Sequence, residues 1–191
     1  MRIGIFGGTF DPPHIGHLVV ATHIRQKLGL DQVFLVVAND PWQKSEVHLV
    51  TAARHRLRMT ELATRGYAGV VASDIEISRG GKSYTIDTIE GILGKGDEPL
   101  IIVGADAAAG LDSWHRSAEL KSAVDVAVVG RPGSRNATPA GWRSHYVEVP
   151  QVDVSSTDLR RRVADGSPVD VLIPQRVIDY IGNVELYSPP M

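Results

Sequence analysis

The sequence of 191 residues contains no cysteine, which excludes disulfide bonds, thiol catalysis and cysteine-based metal sites. It also lacks an excess of positive charge, since its formal net charge is -2 at pH 7. No general basic field attracts the chain to nucleic acid or to an acidic membrane, so neither is expected as a partner. Any site for an anion must therefore be built locally from a few residues.

Long apolar runs are absent as well. No stretch of about 18 apolar residues occurs, so no membrane-spanning helix is expected. The first ten residues, MRIGIFGGTF, reach glycine too early to form the apolar core of a signal peptide. The seven histidines show no zinc-like spacing, and no protein-bound metal is expected. We predict a cytoplasmic protein, and the sequence is compatible with a homo-oligomer.

Short apolar segments alternate along the chain with segments of helical periodicity. Strands are predicted at 2–6, 33–38, 69–73, 99–103, 124–129 and 145–149, and helices at 16–28, 51–65, 85–93, 156–165 and 174–182. Thr51 is a candidate N-cap, and Gly29 is expected to end the first helix. This alternation predicts one α/β domain over 1–191, a Rossmann-like doubly wound parallel sheet with a small C-terminal helical portion at 155–191.

A glycine-rich motif follows the first strand. Its residues are Gly7, Gly8, Thr9, Phe10, Asp11, Pro12, Pro13, His14, Ile15, Gly16 and His17. Paired glycines let backbone N–H groups approach an anion, and a helix N-terminus adds a positive dipole end. His14 and His17 can face one ligand from the start of the helix and stabilise charge that develops on a phosphate. The alternative interpretation is a tight turn followed by two surface histidines. It is the better interpretation of a lone glycine pair or a lone histidine, whereas the combination of both favours the phosphate site.

A second motif lies near the C-terminus and contains Ser155, Ser156, Thr157 and Arg160. Hydroxyl residues at a helix start can cap the helix and leave N–H groups for phosphate. Arg160, one turn further on, can reach the same oxygens with its forked guanidinium. The alternative is a capped surface helix with a solvated face of three arginines.

Both motifs resemble those of the nucleotidylyltransferase superfamily. The first is similar to its G-x-F-D-P-x-H-x-G-H signature and the second to its I-S-S-T-x-I-R segment. The resemblance implies that His14, His17 and Arg160 are catalytic. It also implies an ATP site that comprises Gly7, Gly8, Thr9, Phe10, His14, His17, Gly104, Asp106, Ser155, Ser156, Thr157 and Arg160. Magnesium is expected to arrive with ATP on the pyrophosphate oxygens.

Further segments resemble the bacterial nicotinate mononucleotide adenylyltransferases. The matching segments are 76–88, Gly104 to Asp106 with Leu111 and Trp114, 131–133, and the tail 172–187. The resemblance implies that ATP and nicotinate mononucleotide are the substrates, and that Lys44, Thr85, Asp106, Trp114 and Arg131 bind the second one. Asp106 is expected to bind ribose hydroxyls or to be a helix N-cap. Trp114 is expected to stack on a pyridine ring or to be a core residue, and Thr85 to offer its N–H to the nicotinate carboxylate or to cap a helix.

One segment departs from that family. Its usual Pro-Pro-His-Lys-like stretch is replaced here by 39–44, in which Gln43 stands at the histidine position and Trp42 adds bulk. We expect the loop from Asn39 to His48 to be mobile, with Trp42 either across the acceptor site or packed on the body. Two other functions remain open on sequence: a nucleotidyltransferase for a different phosphate-bearing acceptor, and a nucleotide-binding regulator without catalysis.

Overall fold

The computed structural model describes residues 1–40, 50–130 and 138–188. Its strands are β1 Arg2–Gly8, β2 Gln32–Val37, β3 Val70–Ser73, β4 Glu98–Gly104, β5 Asp125–Gly130 and β6 Ser144–Glu148. They form one parallel sheet in the order β3-β2-β1-β4-β5-β6. This is the strand order of the doubly wound Rossmann sheet, so the predicted fold class is confirmed.

The strand residues alternate between two buried faces. In β2, Phe34 and Val36 join the core on one face, while Val33, Leu35 and Val37 join the core on the other. Successive side chains of a strand point to opposite sides, and helices cover both faces of a parallel sheet. A strand in this position must therefore be apolar at nearly every residue, which is the pattern that predicted it.

The helices are α1 Ile15–Lys27, α2 Ala53–Thr64, α3 Ile75–Arg79, α4 Thr85–Ile92, α5 Ala105–Ala109, α6 Ser117–Ala123, α7 Ser156–Asp165 and α8 Gln175–Asn183, with a 3-10 turn at Leu111–Ser113. Gly29 follows α1 with a φ of 60°, in the left-handed region that favours glycine, and so ends the helix as predicted. Thr51 was expected as the N-cap of α2, but that prediction is wrong. The helix begins one residue later than this assignment requires, and Ala52 occupies the cap position.

Three short helices, α3, α5 and α6, were not predicted. Each has five to seven residues, which is too short to display a clear helical period. They follow β3 and β4 and carry the chain along the edge of the sheet where the strands end. These elements therefore shape the site without having a strong signal of their own.

The C-terminal helices pack on the body through a third apolar cluster. Met59 of α2, Leu159 of α7, and Val177 and Ile181 of α8 are all buried there. The prediction that the last helix docks on the body is confirmed. Within the described ranges, no helix is long and apolar enough to cross a membrane.

Candidate active site

The predicted site residues meet where the strand order reverses. β1 lies between β2 and β4, and the connections from these two sides of the sheet leave a crevice at the carboxyl ends of β1 and β4. Gly8 ends β1 and Gly104 ends β4. Ligands of doubly wound sheets bind at this type of position, so topology alone brings the first motif beside Gly104 and Asp106.

The glycine loop after β1 is shaped by Phe10. The Phe10 ring is buried, and a Cβ atom built on Gly8 would lie 2.7 Å from its tip, which no larger residue tolerates. The ring also packs edge-on against His17, with centroids 4.9 Å apart. Phe10 was predicted to bind ATP. Its side chain instead belongs to the core and supports the loop, so any contact with the nucleotide is restricted to its backbone.

The two histidines of the motif are stacked at the start of α1. Their ring centroids lie 3.7 Å apart with an angle of 28° between the planes. The backbone N–H of His14 donates to Nδ1 of His17 at 3.2 Å. A neutral His17 with this bond carries its proton on Nε2, which makes that nitrogen a hydrogen-bond donor. The two histidines thus lie side by side at the start of α1, and the prediction that both face one ligand stays a prediction.

Burial keeps His14 neutral. The residue is 7% exposed, and desolvation lowers the pKa of its imidazole from the ordinary 6.5 to about 4. Its buried Nδ1 has no hydrogen-bond partner in the described part of the chain. A buried polar atom without a partner is costly and is often explained by a ligand. This atom lies against Gly16, the third residue of the His14 to His17 segment.

Helix α7 docks its N-terminus on the first motif. The Ser155 hydroxyl caps the helix by accepting a hydrogen bond from the Asp158 N–H at 3.2 Å. Ser156 donates from Oγ to the Pro12 carbonyl at 2.9 Å, and Arg160 donates from Nη1 to the Asp11 carbonyl at 2.8 Å. The two predicted motifs, 140 residues apart in the sequence, therefore form one structure.

The three consecutive arginines of α7 do not share one environment. Arg161 and Arg162 pair with Asp158 of the same helix at 2.6 Å each, on its outer side. Arg160 alone turns toward the glycine loop and also contacts the Thr157 hydroxyl at 3.3 Å. The solvated-face interpretation is therefore right for two of the arginines and wrong for the third.

Asp106 stands at the mouth of the crevice. It is the second residue of α5, is exposed, and makes no hydrogen bond or ion pair with a described residue. Gly104, not Asp106, occupies the N-cap position. The capping interpretation is therefore wrong, and the carboxylate remains available to accept hydrogen bonds from hydroxyl groups of a ligand.

A cavity of about 720 Å³ opens beside the glycine loop. Its lining includes Gly7, Gly8, Thr9, Glu76, Ser83, Tyr84, Thr85, Asp106, Ala107, Ser113, Trp114 and His115. Thr85 is the first residue of α4, so its N–H is one of the helix donors without an intrahelical partner. Trp114 lines the cavity and also packs partly on the core, so the core interpretation holds in part, while its stacking on a pyridine ring stays a prediction. Four predicted site residues thus line the same cavity as Gly7 and Gly8, namely Thr9, Thr85, Asp106 and Trp114.

Two predicted substrate-binding residues, Lys44 and Arg131, lie outside the described residues, as do Trp42, Gln43 and the rest of 41–49. The predictions on this loop therefore remain predictions. Within residues 1–40, 50–130 and 138–188, no group of three or more histidine and carboxylate side chains is arranged to hold a metal ion.

Sequence reasoning missed the role of Asp11. Its buried carboxylate accepts hydrogen bonds from the Thr51 N–H at 3.1 Å and from the Tyr187 hydroxyl at 2.6 Å. Burial, and the negative charge of Asp11, raise the pKa of the Tyr187 hydroxyl far above its ordinary value. The glycine loop is therefore tied both to the start of α2 and to the C-terminal tail.

Arg56 was also missed. Its side chain is 1% exposed, and it donates to the carbonyls of Thr51 at 2.7 Å, Thr9 at 2.9 Å and Asn39 at 3.2 Å. Desolvation lowers the pKa of this guanidinium, and Asp11 is the carboxylate that opposes the shift. A signal was present in the sequence, because Arg56, Met59 and Ala63 share helical spacing and therefore one buried face of α2.

Known proteins resemble this chain over most of its length. Residues 5–162 match the family model described as cytidylyltransferase-like. A probable nicotinate-nucleotide adenylyltransferase of Exiguobacterium sibiricum is 41% identical over 190 residues, which cover 98% of this chain and 100% of the relative. A protein of Clavibacter sepedonicus with the same name is also 41% identical, over 100% of this chain and 96% of the relative.

Solved structures agree on the fold. A nicotinic acid mononucleotide adenylyltransferase of Plasmodium falciparum in complex with NaAD superposes with a TM-score of 0.78 at 20% identity, over 97% of each chain. A putative nicotinate-nucleotide adenylyltransferase of Vibrio parahaemolyticus gives a TM-score of 0.70 at 20% identity, over 100% of this chain and 98% of that one. With a family model over most of its length and relatives at 41% identity from end to end, the chain belongs to the nicotinate-nucleotide adenylyltransferases of the cytidylyltransferase-like family.

Proposed function

We propose that this protein transfers the adenylyl group of ATP to nicotinate mononucleotide, which gives deamido-NAD and pyrophosphate, a step of NAD biosynthesis. One observation carries the proposal. The stacked His14 and His17, the glycine loop and the Arg160 end of α7 converge beside a cavity that contains Thr85 and Trp114. A phosphate site and an acceptor pocket are thus adjacent.

ATP is proposed to lie across the crevice between β1 and β4. Backbone N–H groups of Gly7 to Thr9 and the N-terminus of α7 face its phosphates, and Asp106 accepts hydrogen bonds from its ribose. Arg160 already holds the Asp11 carbonyl, so its guanidinium is fixed next to the phosphate loop. The Ser155 to Thr157 hydroxyls complete this end of the site.

The acceptor is proposed to occupy the 720 Å³ cavity. Trp114 supplies an aromatic face for a pyridine ring. The N–H of Thr85, at the positive end of α4, favours a carboxylate over a neutral carboxamide. The acid form of the mononucleotide is therefore the expected substrate.

The chemistry needs no protein nucleophile. A 5′-phosphate oxygen of the acceptor forms a bond to the α-phosphorus of ATP, and the bond from that phosphorus to the bridging oxygen of the β-phosphate breaks. The electron pair leaves with pyrophosphate. The acceptor phosphate is already anionic, so no general base is required. His14 and His17 donate hydrogen bonds to the charge that develops on the α-phosphate, and positioning by the loop supplies the rest.

Magnesium is proposed to accompany ATP. When bound with the triphosphate, the ion would supply positive charge that favours the departure of pyrophosphate. The described residues around the glycine loop offer N–H donors and an arginine, not a set of free carboxylates, which fits an ion held by phosphate oxygens and water. A cytoplasmic location likewise remains a prediction.

Pyrophosphate release tests the function. The protein is supplied with ATP, Mg²⁺ and one of four acceptor conditions: nicotinate mononucleotide, nicotinamide mononucleotide, pantetheine phosphate or none. We expect release with the first and a kcat/KM for the amide at least about tenfold lower, since one charge-assisted hydrogen bond is replaced by a weaker one. Release only with pantetheine phosphate would assign a different acceptor. No release in any condition, from a protein that binds ATP, would point to a regulator.

A further inference from the structure

The acceptor cavity has two walls that come from separate parts of the chain. One wall is the segment Tyr84 to Thr85 at the start of α4, and the other is Trp114 to His115 just before α6. The rings of Tyr84 and His115 stack across the boundary with centroids 4.1 Å apart. The width of the pocket therefore depends on how α4 and α6 are held relative to each other.

On their inner side the two helices share apolar packing, since Ile86 and Ile89 of α4 and Leu120 of α6 belong to one buried cluster. A groove of about 580 Å³ lies between them. It is lined by Ile86, Ile89 and Leu93 on one side and by Ala118, Ser122 and Ala123 on the other. Close-packed side chains resist displacement, so the shared core fixes the inner side of the two helices. On the groove side, the contacts that span the gap come from polar side chains.

Arg116 connects the two helices at the end nearest the pocket. Its guanidinium makes a two-pronged contact with Glu119 of α6, at 2.9 and 2.7 Å. The same group reaches Glu90 of α4 at 2.7 and 3.2 Å and Asp87 at 3.4 Å. Isolated surface ion pairs contribute little, but bidentate pairs within a network of several charges are the exception.

The backbone of Arg116 supports a specific role. Its φ and ψ are 52° and 41°, the left-handed conformation, which is unfavourable for a residue with a Cβ atom. Such a conformation persists only where the surroundings enforce it. This residue directly follows His115, so its conformation determines the direction from which Trp114 and His115 enter the cavity wall.

We propose that Arg116 is a positioning residue, a clamp between α4 and α6 that sets the spacing of the two walls of the acceptor pocket and thereby the affinity for the pyridine nucleotide. The proposal rests on the proposed function, because it assigns the acceptor to this cavity. Arg116 touches no substrate in this role. It acts through Trp114 and His115 on one side and through the N-terminus of α4 on the other.

Steady-state kinetics of Arg116→Ala test the clamp. We expect the KM for nicotinate mononucleotide to rise about tenfold, while kcat and the KM for ATP stay within about twofold, since only the acceptor pocket is loosened. The KM of Arg116→Lys for nicotinate mononucleotide should lie between the values for Arg116→Ala and the wild type. Arg116→Gly removes the side chain without the left-handed strain, so it should match Arg116→Ala if the side chain is the cause. The matched control is Arg143→Ala, which breaks an exposed pair, at 2.6 Å, between Asp125 of β5 and the residue just before β6. This variant should leave every kinetic constant unchanged.

A double-mutant cycle separates the clamp from general destabilisation. Glu90→Gln should raise the same KM, and adding it to Arg116→Ala should raise the KM no further, because the contact is already lost. Additive effects, or an unchanged KM in Arg116→Ala, would overturn the proposal. Equal changes in the KM values of both substrates would also count against it.

Hydrogen exchange provides a readout that does not depend on turnover. In Arg116→Ala, amides of 84–88 and 114–117 should exchange faster than in the wild type, and in Arg143→Ala they should not. A wild type that fails to use nicotinate mononucleotide would refute the proposed function, and exchange alone would then decide on the clamp. Unchanged exchange in both segments would refute the clamp whatever the substrate is.

Discussion

At the scale of single residues, the histidine pair shows how one motif produces two different environments. His14 is enclosed and has its pKa lowered to about 4, so it is neutral at physiological pH. His17 accepts the His14 N–H at Nδ1, which fixes the tautomer of its neutral form. A neutral donor such as His14 can stabilise developing charge without binding the ground-state phosphate as strongly as a cation would.

The residue-scale prediction concerns His17. His17→Ala should lower kcat by about 10²–10³-fold, which is the usual cost of removing one preorganised donor to a transition state. His17→Asn can still accept the His14 N–H and so preserves the start of α1. We expect turnover to fall in this variant as well, with the melting temperature close to that of the wild type. Near-normal turnover in a folded His17→Asn would remove His17 from the mechanism.

At the scale of secondary-structure elements, the contacts between α7 and the glycine loop come from the first five residues of this helix. Its first residue, Ser156, donates to the Pro12 carbonyl, and Arg160, one turn further on, donates to the Asp11 carbonyl. The same helix carries Arg161 on its outer side, where the contacts are to Asp158 and Asp165 of α7 itself. Two adjacent arginines thus offer a comparison of matched substitutions.

The element-scale prediction uses that comparison. Arg160→Ala should lower kcat/KM for ATP by about 10²-fold or more, because a charged group beside the triphosphate and the anchor of the Asp11 carbonyl are both lost. Arg161→Ala should stay within about twofold of the wild type, since exposed pairs within a helix contribute little. Initial rates at varied ATP measure both. Similar losses in the two variants would mean that the general charge of α7, not the placement of Arg160, is what counts.

At the scale of the whole molecule, Asp11 joins parts of the chain that are far apart in sequence. It accepts hydrogen bonds from Thr51 before α2 and from Tyr187 after α8. Arg56 contacts the same loop through the Thr9 carbonyl. The glycine loop is therefore bonded to residues before α2, within α2 and after α8, so the packing of the C-terminal tail contributes to the geometry of the candidate site.

Tyr187→Phe tests this coupling. The substitution leaves a buried carboxylate oxygen without its donor, which costs about 1–3 kcal/mol in the free energy of unfolding. Urea denaturation should show a lower midpoint than in the wild type. Tyr67→Phe, at a residue that is 37% exposed, should change the midpoint very little. If both variants unfold at the wild-type midpoint, the bond to Asp11 does not stabilise the fold.

The pH dependence of stability is a second property of the whole molecule. The pKa of His14 is about 4 in the folded chain and 6.5 without burial, so the unfolded chain binds the proton first as pH falls. The contribution of His14 to the free energy of unfolding is constant above pH 6.5, decreases as the pH falls from 6.5 to 4, and is constant again below pH 4. The total loss is about 3 kcal/mol.

The measurement is the free energy of unfolding at pH 7.5 and at pH 4.5. The asparagine side chain of His14→Asn cannot titrate. The free energy of unfolding of this variant should therefore fall less between the two pH values than that of the wild type, by about 2 kcal/mol or more. The comparison uses each protein's own difference, which cancels any destabilisation that is independent of pH. Equal losses in the two proteins would show that His14 does not contribute in this way.

The two catalytic motifs could be recognised in the sequence because each is short and contiguous. Gly7, Gly8, His14 and His17 lie within eleven residues, and the spacing of the histidines is enough to place them on one side of a helix start. Apolar runs such as 33–38 were recognisable because a strand buried on both faces needs apolar residues throughout. The short helices α3, α5 and α6 escaped prediction because one or two turns carry no reliable period.

The sequence by itself determined the alternation of strands and helices, the doubly wound sheet and the two motifs that meet beside the crevice, since these follow from local periodicity and from runs of adjacent residues. Only the tertiary structure decided that Phe10 packs inward, that Arg160 but not Arg161 faces the loop, and that Asp11, Arg56 and Tyr187 form one network. The physical reason is that burial and hydrogen bonds between distant residues depend on which surfaces meet after folding. A pattern of residues that are adjacent in the sequence does not predict those contacts.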